Sequence, residues 1–171
     1  MRFQGRVYRA HNPQWSWTPL SGEGARCHGG RFNRRGIPAL YTSLNPWTAI
    51  REAVPLGRRL QPLTLCAYEV DTEPVFNAQN EYQRAALGVS DADLSCPCWE
   101  AEMLEGAVPS SQALADRLIA AGHTGLLVRS FAAGAGVDDI NLVLWKWGVS
   151  RPSLVVLIDD ERRLARGSQL T

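Results

Sequence analysis

Residues 22–52, GEGARCHGGRFNRRGIPALYTSLNPWTAIRE, hold a turn–strand–turn–helix pattern around which the fold is decided. The paired glycines Gly29 and Gly30 allow close backbone approach. The segment RRGIP then reads as a turn into a short strand over residues 39–43. Asn45 followed by Pro46 has the chemistry of a helix start: an Asn cap, then a proline at the first helical position. The pattern predicts a helix running through WTAIREAVPLG, with Trp47, Ile50 and Val54 on its apolar face and Ala53 beside them. Glu52 falls at the edge of that face, a position equally suited to a functional or a solvated carboxylate. Glycines, arginines, a tyrosine and a glutamate in one such stretch suit an anionic, ring-bearing small molecule.

Outward from this stretch, residues 3–10 read as a first strand and the Trp15–Trp17 region as loop, its tryptophans serving as packing anchors. Residues 63–71 read as another strand, 72–98 as irregular, and 99–105 as a short helix. Ser110 or Ser111 is expected to cap the helix QALADRLIAA, in which Leu114, Leu118 and Ala121 recur at helical spacing and which Gly122 ends. Three apolar strands follow at 125–131, 140–147 and 153–160, with 132–139 a loop and the tail from 161 exposed. Mixed strands with few helices and no repeat or linker predict a single α+β domain over 1–171, its core at about 6–160.

Composition narrows the functions. Lys+Arg is 18 against Asp+Glu 17, a balance that argues against a dedicated nucleic-acid binder. No apolar run approaches the ~20 residues of a membrane span, and the start lacks the apolar core of a signal peptide. A cytoplasmic protein is expected, with Cys27, Cys66, Cys96 and Cys98 as reduced thiols.

Three site chemistries are weak on spacing. Cys96-Pro97-Cys98 and Cys27-His28 lack the paired spacings of structural zinc, so no metal is expected. Cys27 beside His28 lacks an orienting third group for nucleophilic catalysis. His28-Gly29-Gly30-Arg31 is neither a Walker nor a dinucleotide fingerprint. Arg31 could bind a diphosphate, although for a lone arginine a structural ion pair is the default. The combination is stronger: Arg9, Arg31, Tyr41, Glu52 and Ser130 sit at strand ends and helix edges, where sites are assembled from separate elements.

Several short motifs occur in order: Val7-Tyr8-Arg9, Gly30-Arg31-Phe32-Asn33, Leu40-Tyr41-Thr42-Ser43, Ala49-Ile50-Arg51-Glu52, the run from Gly125 to Ser130, and Asn141-Leu142-Val143-Leu144. This ordered set resembles the RES domain family. Phe32 stands where the family often has tryptophan, and Arg129 where proline is expected. The resemblance implies a toxin of a bacterial toxin–antitoxin pair with an ADP-ribosyltransferase-like fold. It implies binding of NAD as co-substrate and cleavage of the nicotinamide–ribose bond, with water, phosphate or a protein side chain receiving the ADP-ribose. Glu52, Arg31 and Tyr41 would then be catalytic, as cation stabiliser, diphosphate grip and nicotinamide stack. Arg9, Ser130 and Asn141 would complete the NAD pocket. The implied partner is a helix-turn-helix antitoxin that blocks the active site. The alternative is a binding module that keeps the fold without the chemistry.

Overall fold

The computed structural model describes residues 1–54 and 59–164. One seven-stranded sheet organises them, in the order β4-β5-β6-β2-β1-β3-β7. Its strands are β1 (Phe3–His11), β2 (Leu40–Ser43), β3 (Thr64–Thr72), β4 (Val75–Asn77), β5 (Gly125–Arg129), β6 (Ile140–Leu144) and β7 (Ser153–Leu157). All neighbours pair antiparallel except β4 with β5, so the sheet is mixed and the fold α+β, as expected. The helices are α1 (Glu23–His28), α2 (Pro46–Ala53), α3 (Glu81–Ala86), α4 (Asp91–Ser95), α5 (Trp99–Leu104) and α6 (Ser110–Ala120).

Side chains alternate across a strand, so each face of the sheet gathers its own core. On one face Val143, Leu126 and Val128 pack with Phe32, Phe76, Trp145 and the α6 residues Leu114 and Leu118. On the other, Val7, Leu40, Cys66, Tyr68, Leu142 and Leu144 pack together. The two tryptophans of Trp145-Lys146-Trp147 tie surface loops onto these cores. Trp145 Nε1 donates to the Phe32 carbonyl at 2.7 Å, and Trp147 Nε1 to the Leu20 carbonyl at 3.0 Å.

The β1, β2 and β3 expectations hold to within a residue or two at each end. The last three strands are shorter than their apolar runs, because the chain turns away at Ser130, Trp145 and Ile158. Residues 72–98, read as irregular, contain β4, α3 and α4, and α1 begins at Glu23, inside the loop expected around Trp15 and Trp17 as far as residue 25. These elements are only three to six residues long, too short for hydrophobic periodicity to register. Asn45 caps α2 as anticipated, its side chain accepting from Trp47 N at 2.8 Å. The helix ends at Ala53, and the extension expected as far as residue 57 enters a segment outside the described residues. Its buried residues are Thr48 and Ala49, whereas Trp47 is 72% exposed. The expected apolar stripe is thus displaced, because α2 meets the sheet through small residues that permit close packing. The first helical residue of α6 is Ser110, after Pro109, with no side-chain cap, and Gly122 follows its end at φ +85. Trp15 and Trp17 are more than half exposed and do not anchor the core.

Candidate active site

A cleft of about 790 Å³ opens between α2, the ends of β1, β2 and β6, the loop around Arg31, and the segment after Ser130. This lies within the ~300–1,000 Å³ typical of small-molecule sites. Its walls include Arg31, Tyr41, Glu52, Trp99, Phe131 and Asn141.

Glu52 projects from the last turn of α2 and is exposed to the cleft. Its Oε1 accepts from Ser130 Oγ at 2.6 Å and from Asn141 Nδ2. Asn141 is itself oriented, because its Oδ1 accepts from Ser43 Oγ at 2.6 Å. Ser130 Oγ in turn accepts from Ala132 N at 3.1 Å. Hydrogen bonds to an ionised group are the stronger kind, and these aim one carboxylate without neutralising it. Ser130 is 6% exposed and is not part of the cleft wall, so it holds Glu52 from behind.

Arg31 is half-buried, with Nη1 donating to the Cys96 carbonyl at 3.0 Å. Its guanidinium carbon lies 5.0 Å from the Phe131 ring centroid and 5.9 Å from that of Trp99. The default ion pair is absent: among the described residues no carboxylate lies within salt-bridge distance of it. Burial pulls its pKa down, opposed by the charges of Cys96 and Glu52, and an arginine stays protonated under such a shift. A cation held by aromatic faces and one carbonyl keeps donors available for an anionic ligand.

Tyr41 is fixed through its hydroxyl, which donates to Asn33 Oδ1 at 2.8 Å and accepts from Phe32 N at 3.0 Å. Burial pushes the phenol well above the ordinary tyrosine range, so it stays a neutral donor. Asn33 is the buried hub of the loop, its Nδ2 donating to the carbonyls of Ala25, Arg34 and Ile37. The glycine pair has two separate reasons. Gly29 adopts φ +75, and a Cβ on Gly30 would lie 2.5 Å from the Tyr41 hydroxyl and 2.7 Å from Asn33 Oδ1.

Arg9 also lines the cleft, with part of its guanidinium held from behind. Its Nη1 donates to the Pro19 and Ser21 carbonyls at 3.0 and 3.1 Å, beside Tyr68 and Cys66 of the second core. Burial lowers its pKa, and the geometry shows it pinning the 19–21 loop. Cys27 and His28 lie on α1, exposed and outside the cleft wall, and all four thiols are free. No group of three or more His, Cys, Asp or Glu suited to a metal occurs among the described residues. Of the residues singled out in the sequence, Arg9, Arg31, Tyr41, Glu52 and Asn141 line one cleft, and Ser130 stands behind Glu52. Sequence reasoning missed Ser43, Trp99 and Phe131 as site residues, and gave Asn33 no role although it ends the quoted GRFN motif.

The RES domain family matches residues 6–166. The chain belongs to the RES domain family. Among solved structures, it is similar to a chain in the crystal structure of the M. tuberculosis MbcT-MbcA toxin-antitoxin complex. The TM-score is 0.60 at 21% identity, covering 93% of this chain and 84% of that one. At that identity the likeness establishes the fold. Comparison with curated proteins returns no match.

Proposed function

We propose that this RES domain protein binds NAD in the cleft and breaks its nicotinamide–ribose bond, acting as the toxin of a toxin–antitoxin pair. The observation that carries the reading is the Glu52 carboxylate, aimed by Ser130 and Asn141 into a cleft that also holds Arg31 and Tyr41. In the reaction, the bond between ribose C1′ and the nicotinamide nitrogen breaks and its electron pair neutralises the nicotinamide cation. Positive charge develops at C1′, as in glycoside hydrolysis. A carboxylate held by neutral donors keeps its full negative charge for that moment, and fixed electrostatics of this kind need no reorganisation. Arg31 grips the diphosphate, Tyr41 stacks on the nicotinamide, and Ser130 and Asn141 act through Glu52. Arg9 completes the cleft wall, fixed by its hydrogen bonds to the Pro19 and Ser21 carbonyls. The nucleophile that closes on C1′ loses a proton, so with water the products are ADP-ribose, nicotinamide and H⁺. Phosphate or a protein side chain is accommodated by the same scheme.

The partner in this reading is an antitoxin that covers the cleft mouth; the structural relative comes from a toxin–antitoxin complex. Purified protein incubated with NAD should release nicotinamide, and Glu52→Gln should lower the rate by roughly 10²–10³-fold, the scale of losing one preorganised electrostatic group. Undiminished turnover in that variant removes Glu52 from the mechanism. Labelled NAD separates the acceptors: a labelled protein band means transfer to protein, free ADP-ribose means hydrolysis, and its phosphorylated form means phosphorolysis.

A further inference from the structure

We infer that Asp139 is a positioning residue that braces the Glu52 carboxylate from outside the cleft. This rests on the role proposed above for Glu52. Asp139 immediately precedes β6, and its carboxylate accepts from three groups: Thr48 Oγ1, Arg51 Nη1 at 2.6 Å and Gly136 N at 2.7 Å. Thr48 and Arg51 both lie on α2, respectively one helical turn and one residue before Glu52. The main-chain carbonyl of Asp139 accepts from Ser130 N at 2.6 Å, extending the β5–β6 pairing by one rung. The next residue but one, Asn141, donates to Glu52, as Ser130 does.

One residue therefore joins the helix that carries the acceptor to both strand ends that carry its donors. The Asp139 side chain is 18% exposed and is absent from the cleft wall, so it acts through these neighbours. The Thr48 hydroxyl and the Gly136 N–H hold its carboxyl below the ordinary aspartate range, which keeps the brace ionised. Small displacements of a catalytic group carry large rate costs. A clamp on the helix one turn from Glu52 limits them.

The test compares Asp139→Ala and the near-isosteric Asp139→Asn with wild type in three measurements. In nicotinamide release, kcat should fall about tenfold or more in Asp139→Ala, the effect of losing one charge-assisted contact. KM should stay within about twofold, and Asp139→Asn should fall between. In the double variant with Glu52→Gln, Asp139→Ala should add no further loss, because groups acting through one another are non-additive. Hydrogen exchange of the α2 amides should speed up about tenfold in Asp139→Ala while β3 amides are unchanged. Independent losses in the double variant, or unaltered α2 exchange, would overturn the inference. A wild-type protein that releases no nicotinamide refutes the Glu52 reading instead, and the exchange measurement still decides the brace. If Asp139→Ala does not fold, Asp139→Asn carries all three readouts.

Discussion

Glu52 is aimed by a hydroxyl and an amide, and among the described residues it makes no ion pair. An arginine partner would hold it as firmly and cancel the charge the proposed chemistry needs. Removing either donor should therefore cost rate: a hydrogen bond to a charged group contributes ~1.5–3 kcal/mol, so Asn141→Ala should lower kcat by roughly 10–100-fold. Steady-state nicotinamide release checks this, and a rise in KM with kcat unchanged would exclude it. Gly30→Ala tests the loop. Its Cβ would press on the Tyr41 hydroxyl and Asn33 Oδ1, and overpacking of this sort costs about 1–3 kcal/mol, visible as a lowered Tm. Arg31, Tyr41 and Glu52 stand out in the sequence as polar side chains on a loop, a strand and a helix edge, and the roles proposed for them rest on the RES resemblance. Phe131 and Trp99 do not, since an aromatic ring beside an arginine in space leaves no mark on local spacing.

At the scale of elements, α2 shows how a correct start and a wrong face can coexist. Its cap is written in two adjacent residues, Asn45 and Pro46. Its orientation depends on what it packs against, and the sheet below accepts Thr48 and Ala49 rather than Trp47. Asn45→Ala should destabilise the protein by ~1 kcal/mol, lowering Tm by roughly 2–4 °C in a chain of this size. The Asp139 brace gives α2 a pH dependence with a definite sign. Its folded pKa is depressed, so its stabilisation is present above the unfolded value of about 3.9 and is lost as pH falls through the folded one. Between pH 5 and 3 the Tm of wild type should drop more steeply than that of Asp139→Asn, measured by thermal unfolding at each pH. Parallel curves would show that the carboxylate contributes nothing to the fold.

Across the whole molecule, the sheet order places β5, β6, β2 and β1 side by side although β5 and β6 are far from β1 and β2 in sequence. Glu52, Ser130 and Asn141 converge for that reason, and no local pattern reports it. The strands themselves were legible from apolar runs; their order, and the parallel β4–β5 edge, depend on long-range pairing. That convergence also separates binding from chemistry. Arg31 and Tyr41 make their hydrogen bonds with Cys96, Asn33 and Phe32 rather than with Glu52, so a variant without the carboxylate should keep its grip on NAD. Ligand that binds only the folded state stabilises it by RT ln(1 + [L]/Kd), ~2.7 kcal/mol at a hundredfold excess over Kd. Glu52→Gln should thus show a clear rise in Tm with saturating NAD and almost no nicotinamide release. Arg31→Ala should show neither at the same NAD concentration. A Glu52→Gln protein that NAD does not stabilise would place the carboxylate in ground-state binding. An Arg31→Ala protein stabilised as well as wild type would move the diphosphate grip to another residue. Wild-type protein that is stabilised by NAD yet releases no nicotinamide would be a binding module with the same fold.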